Sequence, residues 1–150
     1  MIRRARPEDA EAVVRSFRES RAEAMPWLPV VHTAEEEIAF FRRALAGEAF
    51  VYEVDGAPAG FAILRDDELT ALYVAPESQR EGVGWALFRC AQEARPGGFS
   101  FWVFRDNTRA RRFYESHGAQ LLYETDGAAN EERTPDARYE WRPTPAAAGA

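Results

Sequence analysis

The stretch Leu72-Tyr73-Val74-Ala75-Pro76-Glu77-Ser78-Gln79-Arg80-Glu81-Gly82-Val83-Gly84-Trp85-Ala86-Leu87-Phe88 passes from an apolar strand through a glycine-bearing turn into a helix. Glycines at 82 and 84 let the main chain approach a ligand closely, and the N–H groups of a first helical turn have no acceptor inside the helix. Together they make an anion site, where a pyrophosphate would sit with Arg80 beside it. Two other glycine motifs are excluded by particular residues. A dinucleotide fingerprint needs a third glycine where Leu87 stands, and a P-loop needs a lysine. All 19 basic residues of this chain are arginine. The competing reading is an ordinary strand-to-helix turn whose glycines serve geometry alone.

Toward the N-terminus, Leu69 to Val74 reads as the strand that feeds the turn, with Asp66-Asp67 as a turn before it. Ala49 to Val54 and Ala59 to Leu64 pair as a hairpin about Asp55-Gly56. Farther back, Thr33 caps a helix with Glu36 three residues on; Ile38, Phe41 and Leu45 give its apolar face and Gly47 its end. Ile2 to Arg6 is a short strand, and Pro7-Glu8-Asp9 opens a helix expected to run to about Met25.

Toward the C-terminus, Gly84 to Ala94 is a helix, Phe99 to Phe104 a strand, and Thr108 to His117 a helix closed by Gly118. Strands near Leu121 to Thr125 and Arg138 to Trp141 complete the set. The order predicts an α/β mixed sheet in one domain over residues 1–142, with a frayed tail at 143–150.

The bulk properties narrow the partners. At 150 residues and 46% hydrophobic, one core is expected, and the sequence shows no membrane-spanning run and no signal peptide. A formal net charge of −6 opposes nucleic acid as a partner. One cysteine, Cys90, with His32 and His117 gives neither a disulfide nor a metal cluster, which fits a cytoplasmic protein with no metal. The absence of lysine excludes Schiff-base chemistry. Strands closing a sheet edge leave pairing into a homodimer open.

Gln79-x-x-Gly82-x-Gly84 after Leu72-Tyr73-Val74 resembles the acetyl-CoA loop of the GCN5-related N-acetyltransferases. The resemblance covers roughly residues 1 to 142 in element order and is most specific over 68 to 118. It implies a GNAT-type, mostly antiparallel sheet of six to seven strands with about four helices, splayed between the fourth and fifth strands. It also implies that main-chain groups of Leu72, Tyr73 and Val74 bind the pantetheine arm and thioester. The N–H groups from Arg80 through Glu81, Gly82, Val83 and Gly84 to Trp85 would hold the pyrophosphate of acetyl-CoA, with Gln79 in the same loop. Asn107-x-x-Ala110-x-x-Phe113-Tyr114-x-x-x-Gly118 is similar to the family's second cofactor motif. Its tyrosine is the usual general acid, so the resemblance implies that Tyr114 is catalytic and that Asn107 contacts the coenzyme A arm; Arg109 and Arg112, three apart on the helix, with Arg105 before it, are placed to meet the adenosine phosphates. On pattern alone Tyr114 is a core-edge residue and the arginines form a solvated face.

The reaction is a proton-transfer problem. An ammonium of pKa near 10.4 is neutral about once in 2,500 at pH 7, so a carboxylate base is needed. By its offset from Leu72-Tyr73-Val74, Glu68 sits where some members of the resembled family carry such a base, with Asp67 equally close. The family's other base position, five residues before the asparagine, holds Trp102. Proton donation from a phenol near pKa 10 to a thiolate near 8.5 is uphill by only about 2 kcal/mol.

The acceptor is expected to be the amine of a small molecule or peptide, framed by Met25 to Thr33 and Thr125 to Asp136. Trp27 and His32 would wall the pocket, and Glu131, Glu132 and Asp136 would favour a cation. The resemblance points to a bacterial branch whose acceptors it does not name. The alternative is a noncatalytic acyl-CoA-binding sensor or regulatory protein-interaction module.

Overall fold

Seven strands form one sheet in the order β1-β2-β3-β4-β5-β7-β6. They are β1 (Ile2–Arg4), β2 (Glu48–Val54), β3 (Ala57–Arg65), β4 (Glu68–Val74), β5 (Phe99–Phe104), β6 (Gln120–Thr125) and β7 (Asp136–Trp141). The computed structural model describes residues 1–144, so the expected tail falls, from residue 145, outside the described residues.

The sheet is two antiparallel halves with a weak seam. β5 and β7 pair continuously from Phe99 opposite Trp141 to Phe104 opposite Asp136. The parallel contact of β4 with β5, by contrast, is one residue pair, Glu68 opposite Ser100. The Ser100 N–H donates to the Asp67 carbonyl at 3.0 Å, and beyond that point the strands part. The implied splay is therefore present.

Each face has its own core. α1 (Ala10–Ala24) and α2 (Ala34–Leu45) cover Val51, Phe61 and Ile63; α3 (Val83–Ala94) and α4 (Thr108–Ser116) cover Leu69, Phe99, Phe101 and Tyr139. Burying each large side chain here contributes about 1.5–3 kcal/mol. A bulge fits β4 to both cores: Ile63 pairs with Ala71 and Leu64 with Leu69, leaving Thr70 as the extra residue. The bulge puts Leu69 and Leu72 into the same core.

Local boundaries follow side-chain bonds. β1 stops at Arg4 rather than the expected Arg6 because the Arg6 N–H donates to the Asp9 carboxylate at 2.8 Å, while Arg3 grips that carboxylate at 2.8 and 2.9 Å. Pro7–Asp9 is accordingly a single 3-10 turn before α1. Thr33 and Glu36 form the expected reciprocal cap of α2, at 3.2 and 2.8 Å. Gly118, at φ +93°, ends α4, and the Ala119 N–H reaches back to the Tyr114 carbonyl at 3.0 Å.

Candidate active site

Where β4 and β5 part, a cavity of about 360 Å³ opens, lined by Leu72, Tyr73, Phe101, Asn107 and Tyr114 among others. A second cavity of about 1190 Å³ lies under α1, α2 and the segment joining them. Both are lined by Arg21, Met25, Thr70, Ala71, Tyr73 and Glu132, which mark the passage between them.

At the head of α3, Arg80 and Gly82 are both left-handed, with φ +74° and +79°. Gly82 is the helix N-cap without a side-chain bond, and Ala86 is the first residue whose N–H finds a helical acceptor, the Gly82 carbonyl at 3.0 Å. The N–H groups of Val83, Gly84 and Trp85 are thus directed out of the helix. Gly84 has a packing reason as well, since a Cβ there would lie 3.4 Å from the Phe113 ring of α4. Val83 is buried and has only its main chain to offer; Arg80 and Glu81 are exposed. The Trp85 ring is stacked on His117 at 4.0 Å. α3 begins at Val83, one residue before the expected start.

Gln79 acts on the protein rather than outward. Its Nε2 donates to the Val74 carbonyl at 3.0 Å, and its Oε1 accepts from Arg109, which also reaches Glu23 at 2.9 Å. Arg112 lies exposed on α4.

Tyr114 is 8% exposed, packed against Phe101 at 4.5 Å and Phe88 at 5.4 Å. Its hydroxyl has no hydrogen-bond partner among the described residues. Burial, and to a lesser degree nearby Tyr73, raises the phenol well above its ordinary range, so it stays protonated. Asn107 caps α4, its Oδ1 accepting from the Ala110 N–H at 3.3 Å. Cys90 is half-buried, and burial pushes its thiol up, away from thiolate chemistry.

Glu68 lines neither cavity. Arg138 binds it at 3.1 Å and binds Ser100 Oγ at 2.6 Å, across the joined end of the seam. The carboxylate in the passage is Glu132, held by Arg21 Nη1 at 3.1 Å, while Arg21 Nε donates to the Tyr73 hydroxyl at 3.2 Å.

The loop carrying Glu132, between β6 and β7, is tied to itself. Asn130 donates to the Thr134 carbonyl and to Asp136, and accepts from the Thr134 N–H. Thr125 bonds Asp136 and receives the Gly127 N–H. Gly127 is left-handed, and a Cβ on it would lie 2.3 Å from the Thr134 main chain.

The profile of the acetyltransferase (GNAT) family matches residues 11–119. The chain belongs to this family. Among relatives, the peptidyl-lysine N-acetyltransferase YiaC of Escherichia coli K12 is 30% identical over 125 residues, covering 81% of this chain and 84% of that protein. In fold, this GNAT acetyltransferase is similar to apo YjaB from Escherichia coli, with a TM-score of 0.79 at 23% identity over 94% of this chain and 96% of that one. It is also similar to the PaiA N-acetyltransferase of Thermoplasma acidophilum in complex with coenzyme A, with a TM-score of 0.73 at 18% identity over 95% and 98%.

The acetyltransferase thus brings Leu72, Tyr73, Asn107 and Tyr114 to the smaller cavity, and His32 and Glu131 to the larger. Those last two bond each other at 3.0 Å, joining the loops on either side. Trp27 lines neither cavity. In its turn Met25 and Leu28 are the buried residues, leaving Trp27 45% exposed on the outside. Thr70 and Arg21 are site residues the sequence reading lacks. The signal for Arg21 is its place on the stripe Val14, Phe17, Arg21, a cation at a core-facing position. No helix among the described residues is long and apolar enough to cross a membrane.

Proposed function

We propose that this acetyltransferase moves an acetyl group from acetyl-CoA to an amine, by direct attack of the neutral amine on the thioester carbon in the passage between the two cavities. The observation that carries the reading is the single β4–β5 pair, with the unpartnered Tyr114 hydroxyl lining the gap beyond it. Acetyl-CoA supplies the thioester. The N–H groups from Arg80 to Trp85 take the pyrophosphate, and the left-handed Arg80 and Gly82 support that assignment. Arg112 meets the adenosine phosphates.

The β4 edge at Leu72, Tyr73 and Val74, unpaired on its β5 side, takes the place of a strand partner for the pantetheine arm, with the Asn107 amide alongside. Peptide N–H groups of that edge polarise the thioester carbonyl as negative charge develops on its oxygen. Tyr114 gives its proton to the departing sulfur. Burial raises the phenol, and the same apolar surroundings would also raise the departing thiol, so the two shift in the same direction.

Glu132 receives the acceptor as an ammonium and takes its proton, directly or through a water. Glu68 is in its ion pair with Arg138, and Glu132 is the carboxylate that lines both cavities. The name of YiaC supports a peptidyl lysine as acceptor.

Two measurements test the reading. Calorimetric titration with coenzyme A is expected to saturate, and its absence would overturn the proposal. Tyr114→Phe is expected to lower kcat by at least about 100-fold with coenzyme A affinity nearly unchanged. Equal turnover would remove Tyr114 from the chemistry.

A further inference from the structure

We infer that the acetyltransferase selects cationic peptide acceptors in which a bulky apolar side chain lies close to the reactive lysine, and that this side chain seats on an aromatic row leading away from the passage. The inference rests on the acceptor assignment above. It deepens that assignment with a substrate class.

The row begins at Tyr73, on the lip of the seam. Phe17 stands edge-on to it at 4.9 Å, Phe41 edge-on to Phe17 at 5.1 Å, and Phe40 edge-on to Phe41 at 5.3 Å. All four rings line the larger cavity. The inner part belongs to the core, but Phe40 does not. Ile38, Phe41 and Leu45 form the inward stripe of α2, and Phe40, off that stripe, is 58% exposed. On the segment before α2, Val30 and Val31 are 77% and 47% exposed and line the same cavity. Singly such residues need no explanation; gathered on one cavity that opens onto the chemistry, they make a surface that an apolar group would cover.

Size and charge point to the occupant. About 1190 Å³ is more than a lysine side chain fills, and is somewhat above the usual range of roughly 300–1,000 Å³ for small-ligand sites, which leaves room for a peptide segment. Five carboxylates line it against three guanidinium groups, which favours a cation. Of these, Glu132 is at the passage, at the Tyr73 end of the row, so the amine and the apolar side chain are read at separate places. A peptide segment carrying both satisfies the two at once.

The test uses matched pentapeptides with a central lysine, blocked termini, and alanine elsewhere except for one leucine or phenylalanine placed in turn at each position on either side. Thiol release with saturating acetyl-CoA gives kcat and KM. At one position or more the bulky residue is expected to raise kcat/KM about tenfold over the all-alanine peptide, chiefly through KM, the size expected for covering one large apolar side chain. Phe40→Ser is expected to cut that ratio below about threefold and Phe40→Leu to restore most of it. A ratio near one at every position in the natural protein would overturn the inference, as would a ratio that survives Phe40→Ser combined with Val30→Ser. Phenylethylamine turned over as well as the best peptide would overturn the peptide assignment. Inertness of every amine, with coenzyme A still bound, would instead overturn the acceptor assignment itself.

Discussion

Two loops flank the seam, and they are built by opposite rules. The loop before α3 leaves main-chain donors free, with left-handed Arg80 and Gly82 ahead of them. The loop between β6 and β7 closes many of its polar groups on one another, through Asn130, Thr134, Thr125 and Asp136, gives Glu131 to the clasp with His32, and brings the Glu132 carboxylate to the passage. A diphosphate has charge on every side and can be met by bare peptide dipoles. An amine must be met at one point, by a group that does not move.

The contrast is sharpest at the two glycines. A Cβ on Gly127 would run into the Thr134 main chain at 2.3 Å, in addition to its left-handed φ. Gly127→Ala is therefore expected to cost at least about 3 kcal/mol in denaturant unfolding. A Cβ on Gly82 would meet nothing within 4 Å. Gly82→Ala should cost only the left-handed strain, about 1 kcal/mol, and appear mainly as coenzyme A bound several-fold more weakly in calorimetry. If Gly127→Ala proves the milder of the two, the β6–β7 loop is not the rigid partner described.

The smallest effect concerns the clasp between loops. The Glu131 carboxylate, with Glu36 and Glu37 nearby, holds the His32 imidazolium above its usual pKa. A raised histidine contributes fully below the unfolded value near 6.5 and loses its contribution as pH rises through the folded one. Arg18 is bonded to Glu37 and to the His32 carbonyl. Hydrogen exchange in the β6–β7 loop should thus be slower in the natural protein than in His32→Gln near pH 6, with the difference gone near pH 9. A difference that persists at high pH would assign the clasp to packing instead.

These loops also differ in what can be read from sequence. A backbone site needs glycines at fixed offsets after an apolar strand, so residues 72 to 85 announce it locally. The role proposed for Glu132 rests on its bond to Arg21, 111 positions earlier, and nothing near either residue points to the other. Glu68 is a similar case. Its offset along β4 is that of a base, yet Arg138, 70 positions later, takes it into the seam. His32 and Glu131, expected at the acceptor, line the larger cavity and bond each other there. Trp27, expected at the pocket wall, lies outside both cavities, because an aromatic in a loop does not say which way the turn faces and here Met25 and Leu28 turn inward. Element order, the β2–β3 hairpin and the closing strand pair are legible, since periodicity and turn residues act at short range, whereas the pairing of β1 with β2 and of β5 with β7 joins distant segments.

The joined end of the seam has a mechanical consequence. Two half-sheets that share a strand pair only at Glu68 and Ser100 are laid out like the legs of a compass, with Arg138 as the rivet at the vertex. A small rotation there is magnified along the legs, so an altered rivet would widen the slot most at its mouth, several residues from any atom that was changed. Fine adjustment of aperture in such a molecule belongs to the pivot.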